Sequence, residues 1–508
     1  MGPFVYIVPS ALKTKKLNTS LAGIPDYTIR DEKGERVEGV ILDTFDNILL
    51  KRRLLLFGLE GGLVVLDLKE GCFVEQEIEG AWRFSSDLPA GPVAELLADV
   101  SPLRAFLTVA KVKIRQTKGV LLDDEGKTRA RYTNLTVNHA DSSISFGVVT
   151  SMRGYQRAFE DLIDIMGQAG AIALDNGSEI YRLLAIKRYN YTNKPELHLD
   201  ADAVASETAA RIISAFMLVA RANESGVIGD YDTEFLHDYR VSFRKVRSVL
   251  SLFKGVYDGE ITRQLKSEFS AIMQGTNRLR DLDVYLMEKD HYFTMVPEPS
   301  LAGLTLLFAY LANERKKELK KVKKILQSKA YERQVDSLNK LFMDSANLSL
   351  GPKGKLPSKL LASKLVLKRY SQVCRIAGTI NRSTRDEVVH ELRISCKKLR
   401  YLMEFFTPLY DQDGVRQIIK TLKVLQDNLG RFNDYSVQQT FLRQILDHEL
   451  GSFKGDEMQL TEAIGALTAM LYSMQKKERT QVVKNFIHFN SEETRLLFKE
   501  LFQKKGEA

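Results

Sequence analysis

From residue 4 to about 149 the apolar positions come in short runs broken by turn residues: FVYIV, VEGVILDTFDN, LLLFG, GGLVVLDLK, FVEQEIEG, FLTVAKVKIRQT, KTRARYTNLTV and SISFGVV. Several of these alternate with period two, the spacing that sends successive side chains to opposite faces of a strand, and together they predict an antiparallel sheet of about eight strands. A helix is predicted over 155–169, and KRYNYTNKPELHLDAD, with its proline and polar residues, reads as a linker. After about residue 202 the period changes to that of helices: long segments rich in Leu, Lys, Arg and Glu run to the end, divided near their middle by GPKGKLP at 351–357. The pattern predicts domains at 1–200, 201–350 and 351–508.

Charge follows the same division. Lys and Arg number 74 against 65 Asp and Glu, a net charge of +9. Residues 1–200 hold 25 basic and 27 acidic side chains, so the remaining 49 and 38 place the whole excess in the helical region. Residues 301–400 alone carry 23 bases and 8 acids. Such a field calls for a polyanion, whether nucleic acid, acidic lipid or a phosphate polymer. Three cysteines, Cys72, Cys374 and Cys396, without a C-x-x-C spacing, support neither a disulfide framework nor a thiolate zinc site, and a reducing cytoplasm is the expected location. The uncharged apolar run at 301–312 is too short to span a bilayer, so no membrane insertion is expected.

Sliding the helical region by 153 positions aligns HDYRVSFRKVRSVLSLFKGVYD, from His237, with HELRISCKKLRYLMEFFTPLYD, from His390, and NRLRDLDV with GRFNDYSV farther on. Thirteen of the 48 paired positions are identical, against about three expected from average composition. RKKELKKVKK (315–324) resembles QKKERTQVVK (475–484). The region is therefore a tandem duplication. On a helix of 100° per residue His237, Arg240, Arg244 and Arg247 share a sector of about 80°, opposite an apolar arc containing Phe243, Val246, Val249 and Leu250. His390, Arg393, Lys397 and Arg400 repeat the stripe.

A single basic face is most simply a solvated one. Surface charge drifts freely between copies, however, and here the same residue types recur at the same offsets. Arginine forks grip phosphate oxygens in pairs and lysine adds a point charge, so cations one turn apart suit closely spaced phosphates. Candidate anion-binding residues are His237, Arg240, Arg244, Lys245 and Arg247; Arg315, Lys316 and Lys320; Arg369; His390, Arg393, Lys397, Lys398 and Arg400; and Lys476 and Lys477. Asp281 and Asp434 are expected to orient arginines or cap helices. No catalytic residue, metal or cofactor is called for.

The H-x-x-R-[VI]-x-x-x-K-x-R pattern at His237 and again at His390, with LRDLDV and FNDYSV downstream, resembles the CHAD family, the conserved-histidine α-helical domain. The resemblance covers about 203–505. It implies two four-helix bundles related by a pseudo-twofold axis, basic stripes facing a shared groove or pore, and inorganic polyphosphate as ligand, with storage, attachment to polyphosphate granules and regulation all open as the cellular role. The N-terminal part more distantly resembles the CYTH family of triphosphate tunnel enzymes: ILDTFDNILLKRRLLLF, VLDLK ending at Lys69, EQEIE with Glu75, Glu77 and Glu79, and KVKIRQT with Lys111, Lys113 and Arg115 fit its strands. The opening E-x-E-x-K strand of that family is replaced by FVYIVPS, its L-R-x-R by Leu56, Phe57, Gly58 and Leu59, and a later acidic strand by SISFGVV. Divalent metals need oxygen ligands, so this tunnel is expected to be catalytically dead. The fold class expected is thus α+β multidomain, a β-barrel or tunnel-like domain before a duplicated all-α pair. Its function is expected to be non-catalytic binding of polyphosphate. The rivals are a triphosphatase working through the N-terminal domain and a nucleic-acid-binding protein.

Overall fold

Among the described residues nine strands form one antiparallel sheet, one more than the apolar pattern suggests, in the order β5-β4-β3-β2-β6-β7-β8-β1-β9. In chain order the elements are β1 (Phe4–Val8), α1 (Ala11–Leu21), β2 (Thr28–Asp43), α2 (Ile48–Lys51), β3 (Leu54–Leu59), β4 (Gly62–Asp67), β5 (Cys72–Glu77), α3 (Pro92–Leu96), β6 (Leu107–Leu122), β7 (Thr128–His139), β8 (Ser142–Ser151), α4 (Gln156–Gln168), β9 (Ile172–Ala173) and α5 (Ser178–Leu183). The extra strand is the two-residue β9, too short to leave a period. This computed structural model describes residues 2–21, 26–344, 348–381 and 383–503, and the chain divides into two units, Met1–Thr192 and Asn193–Ala508.

Alternation puts Ile41, Phe57, Leu66, Val112, Ile114, Leu135 and Phe146 into one apolar cluster, which Ile180, Tyr181 and Leu184 complete. The sheet curls, so that Gln116 and Lys118 on β6 reach the Glu75 carboxylate on β5, at 2.7 and 3.0 Å. Lys111 and Lys113 fall on the opposite face from Val112 and Ile114 and are exposed, Lys113 pairing with Glu38 at 3.3 Å. The expected linker, from residue 187 to 202, holds no helix or strand.

The second unit is helical: α6 (Ala205–Gly229), α7 (Thr233–Leu252), α8 (Gly259–Gln274), α9 (Asn277–Met287), α10 (Lys289–Met295), α11 (Leu301–Leu326), α12 (Lys329–Met343), α13 (Ser358–Ala377), α14 (Asp386–Phe406), α15 (Gln412–Glu449), α16 (Glu457–Phe489) and α17 (Glu492–Phe502). By length and composition α6 is apolar enough to cross a membrane, but half of that stretch is buried inside the protein. The 153-residue register holds in space as well. Residues on a twofold axis meet their own equivalents, and two such meetings occur. Val204 bridges Pro357. Around that bridge the Ala205 amide donates to the Leu356 carbonyl and the Ser358 amide to the Ala203 carbonyl, both at 2.9 Å. Phe253 stacks on Phe406, centroids 5.0 Å apart and planes 12° from parallel.

The copies differ at one break. The segment covered by α8 and α9, interrupted at Gly275 and Thr276, corresponds to the first part of the uninterrupted α15.

Candidate anion-binding site

The helix α7 begins at Asp232, whose carboxylate accepts the Glu234 and Phe235 amides at 2.9 and 3.1 Å, satisfying donors that the first turn leaves without partners. Its apolar arc, with Tyr239, Phe243, Val246 and Val249, is fully buried, and the corresponding arc of α14, with Leu392, Cys396 and Leu399, is buried in the same way. With both arcs docked, the remaining sides of the two helices enclose a cavity of about 340 Å³. That is near the lower end of the roughly 300–1,000 Å³ usual for small-ligand sites. His237 and Lys245 come from α7; Arg393, Lys397 and Arg400 from α14; Gln426 and Asp427 from α15; and Asn193 and Lys194 from the segment before α6.

The cations in this cavity, and Arg244 beside it, crowd one another. Burial, then Arg244 and Arg393, push the Lys397 ammonium down to about 7, with Asp434 only partly offsetting them. Burial also lowers Lys245; Glu404 opposes this, while Arg400 and Lys194 add to it. Desolvation and like charge both disfavour the charged form, so a group held in this way gains from any anion that enters. Arg393 has Asp434 at 4.0 Å as counter-charge.

The two histidines keep the matched register yet differ in the role of Nδ1. An Arg280 guanidinium nitrogen lies 3.0 Å from His237 Nδ1. Arginine can only donate, so Nδ1 accepts and the ring proton sits on Nε2. Matching Arg280 in the repeat is Asn433, whose Oδ1 is 2.8 Å from His390 Nδ1, so there the histidine donates. His390 is exposed and lies outside the cavity lining.

Arg240 and Arg393 also diverge. At the break between α8 and α9, Arg240 donates to the Met273 carbonyl (3.2 Å), Thr276 Oγ1 (2.7 Å) and Asn277 Oδ1 (2.8 Å), and burial with Arg244 nearby lowers it to about 10. It is tied into the fold, whereas Arg393, beside an uninterrupted α15, lines the cavity. Arg247 Nη1 is 3.9 Å from Met273 Sδ, and Arg400 Nη1 is 3.4 Å from Gln426, the residue matching Met273.

Other expected site residues lie elsewhere. Arg315 is bound by Asp283 (2.6 Å) and, through two nitrogens, by Asp230 (2.7 and 3.1 Å). Lys316 and Lys320 are exposed on α11. Lys398 is lowered by burial and by Arg369 and Lys266, which marks a separate basic cluster on the side of α13 and α8. Exposed Lys476 lies 4.4 Å over the Tyr472 ring, in a second cavity of about 960 Å³ near the start of α14, and Lys477 is exposed beside it.

The sequence comparison did not single out Arg280, Lys194, Glu404 or Gln426. Arg280 and Glu404 differ between copies (Asn433 and Ser251), so a search for recurring residues passes over them, and Lys194 precedes the duplication. Among the described residues no group of three or more His, Cys, Asp and Glu side chains is arranged to hold a metal ion.

Residues 211–443 match the CHAD domain family. Two solved structures align with part of the chain. One is the crystal structure of the CHAD domain from the plant Ricinus communis, 24% identical with a TM-score of 0.49 over 59% of this chain and 96% of that one. The other is PptA from Streptomyces chartreusis, 16% identical with a TM-score of 0.40 over 56% and 98%. No curated protein matches the chain.

Proposed function

We propose that the CHAD domain formed by residues 211–443 binds inorganic polyphosphate in the cavity between α7 and α14, by electrostatics and without a covalent step. The observation that carries this reading is the convergence of cations from both copies on one cavity, where burial and then Arg244 and Arg393 push Lys397 down to about 7. Arg393 and Arg400 supply guanidinium forks, Lys245 and Lys397 point charges, and His237 a neutral N–H from Nε2. Neutralised phosphates release their counterions, so affinity falls steeply with salt. Tyr401, the one aromatic residue among those lining the cavity, gives little for bases to stack on, which favours a bare phosphate chain over nucleic acid.

The sheet unit is proposed to take no part in phosphate chemistry. Its cluster of Ile41, Phe57, Val112, Ile114 and Phe146 fills much of one face, and two of the CYTH-like charges are already paired, Glu75 with Lys118 and Lys113 with Glu38.

The test is retention of the full chain on immobilised long-chain polyphosphate. Arg244→Glu, Arg393→Glu and Lys397→Glu combined should abolish retention; Arg240 is left intact because it holds the α8–α9 break. Undiminished retention overturns the site. Phosphate release from tripolyphosphate with magnesium or manganese, lost on removing residues 1–192, overturns the non-catalytic reading.

A further inference from the structure

The second cavity, of about 960 Å³, shares no lining residue with the first. Tyr472, Lys476, Arg479, Thr480 and Val483 of α16 form one wall, and their spacing gathers them within a sector of about 100° on that helix. Ile380, before α14, and Phe432, on α15, are buried and supply apolar surface. Arg479 is ion-paired with Asp386, whose other carboxylate oxygen accepts from Gln475 Nε2 at 3.2 Å. Gln475, only 6% exposed, accepts in turn from Gln439 Nε2 at 2.9 Å. The Tyr472 ring, by contrast, is 50% exposed.

The first copy is built differently at the same place. By the match of 315–324 with 475–484, Gln475 stands where Arg315 does, and the 153-residue register puts Ser383 and Ser436 in the positions of Asp230 and Asp283. Those two carboxylates clasp Arg315, so all three charges of that cluster are replaced by neutral residues in the second copy. Tyr472 and Phe432 correspond to Ala312 and Leu279. The second copy thus has aromatic surface where the first has an ion-pair cluster.

We infer that this cavity binds a nucleoside monophosphate, its base stacked on Tyr472 and its phosphate held by Lys476. The inference does not rest on the polyphosphate reading of the first cavity.

Three properties select this class of ligand. Among the charged residues lining the cavity Asp386 offsets Arg479, which leaves the single charge of Lys476. That suits one phosphate group and not a chain of them. Next, the Lys476 ammonium lies 4.4 Å over the Tyr472 ring, a contact weak enough at an exposed site to be exchanged. A phosphate that takes the ammonium frees the ring face for the base, and every base has a face that stacks on an aromatic side chain. Finally, Asn381, Thr384, Gln475 and Thr480 are set among the apolar groups. They meet the edges of a base and the ribose hydroxyls, and they interrupt the continuous apolar lining that an acyl chain needs.

Equilibrium dialysis of the full chain against adenosine monophosphate tests the site. Wild type should bind it, with adenosine and ribose phosphate each at least tenfold weaker because each lacks half of the ligand. Tyr472→Ala, at an exposed position, should weaken binding about tenfold, the order expected for one lost base stack, and Tyr472→Phe should restore it. Lys476→Ala should weaken adenosine monophosphate but not adenosine. Arg393→Glu combined with Lys397→Glu should leave nucleotide binding intact, and Tyr472→Ala should leave retention on polyphosphate intact. The inference is overturned by any of three results: no binding at about 1 mM nucleotide, binding indifferent to both Tyr472→Ala and Lys476→Ala, or binding lost with Arg393→Glu and Lys397→Glu.

Discussion

Arg244 and Lys397 occupy the same place in the two copies of the repeat, and they lie close enough for the guanidinium to depress the ammonium. Like Phe253 and Phe406, they are equivalent residues brought together by the pseudo-twofold arrangement. A stripe that would be dispersed on two separate helices becomes a single field because each helix turns the same face to the same axis.

That field makes binding depend on pH. The Lys397 ammonium sits at about 7 in the free protein, against an ordinary value of 10.5, and a bound polyanion raises it. The complex therefore holds more protons, and affinity is greatest below pH 7. Above pH 7 it weakens by up to about tenfold per unit, until the pKa of the complex is passed. Calorimetry in two buffers of different ionisation heat should record proton uptake at pH 8. Lys397→Arg, charged throughout, should flatten the profile.

The same depressed value has a cost in the unliganded fold. Lys397 is charged in the unfolded chain up to about pH 10.5 and resists that charge when folded, so its unfavourable contribution is present below pH 7 and fades as pH rises toward 10.5. Lys397→Met is expected to raise the midpoint of thermal unfolding at neutral pH while weakening retention on polyphosphate. A lowered midpoint would contradict the strain placed here.

Arg240 and Arg393, identical in sequence role, should separate by experiment. Arg240→Ala removes three hydrogen bonds at the α8–α9 break and is expected to cost about 2–3 kcal/mol in urea unfolding. Arg393→Ala, with Asp434 at 4.0 Å as its counter-charge, should cost about 0.5 kcal/mol or less yet weaken polyphosphate binding.

A similar contrast runs along α11. Arg315→Ala leaves the almost fully buried Asp283 carboxylate without its cation and should destabilise by about 3–5 kcal/mol. Lys316→Ala, at an exposed position one residue on, should fall within about 0.5 kcal/mol of wild type.

In the sheet unit Asp43, buried at the end of β2, is paired with Arg188 at 2.8 Å and accepts the Thr44, Leu49 and Leu50 amides. Burial pushes its carboxyl up despite Arg188. Asp43→Ala strands the Arg188 guanidinium, which lies over the Tyr181 ring, and should cost about 3–5 kcal/mol. The sole tryptophan, Trp82, packs edge-on against Phe106 in this unit, so its fluorescence reports the loss directly.

The sequence by itself determined the division into a sheet and a duplicated helical region, because periods of two and of 3.6 are local properties of the chain. It also determined that cations recur at matched offsets, since a repeat can be read by sliding the chain past itself. Which of them share a cavity was decided only by tertiary structure. Arg240 and Arg393 look alike until the Gly275–Thr276 break draws one of them into the fold. Lys245 and Lys398 match in register, but they face the central cavity and a separate basic cluster respectively. Arg280, Lys194 and Glu404 carry no recurring signal at all, because what gives them a role is the face of a helix or strand of chain from elsewhere packed beside them. A stripe along one helix is fixed by residue spacing, whereas a site enclosed by four segments depends on how far those segments approach, and that distance is set by the buried side chains between them.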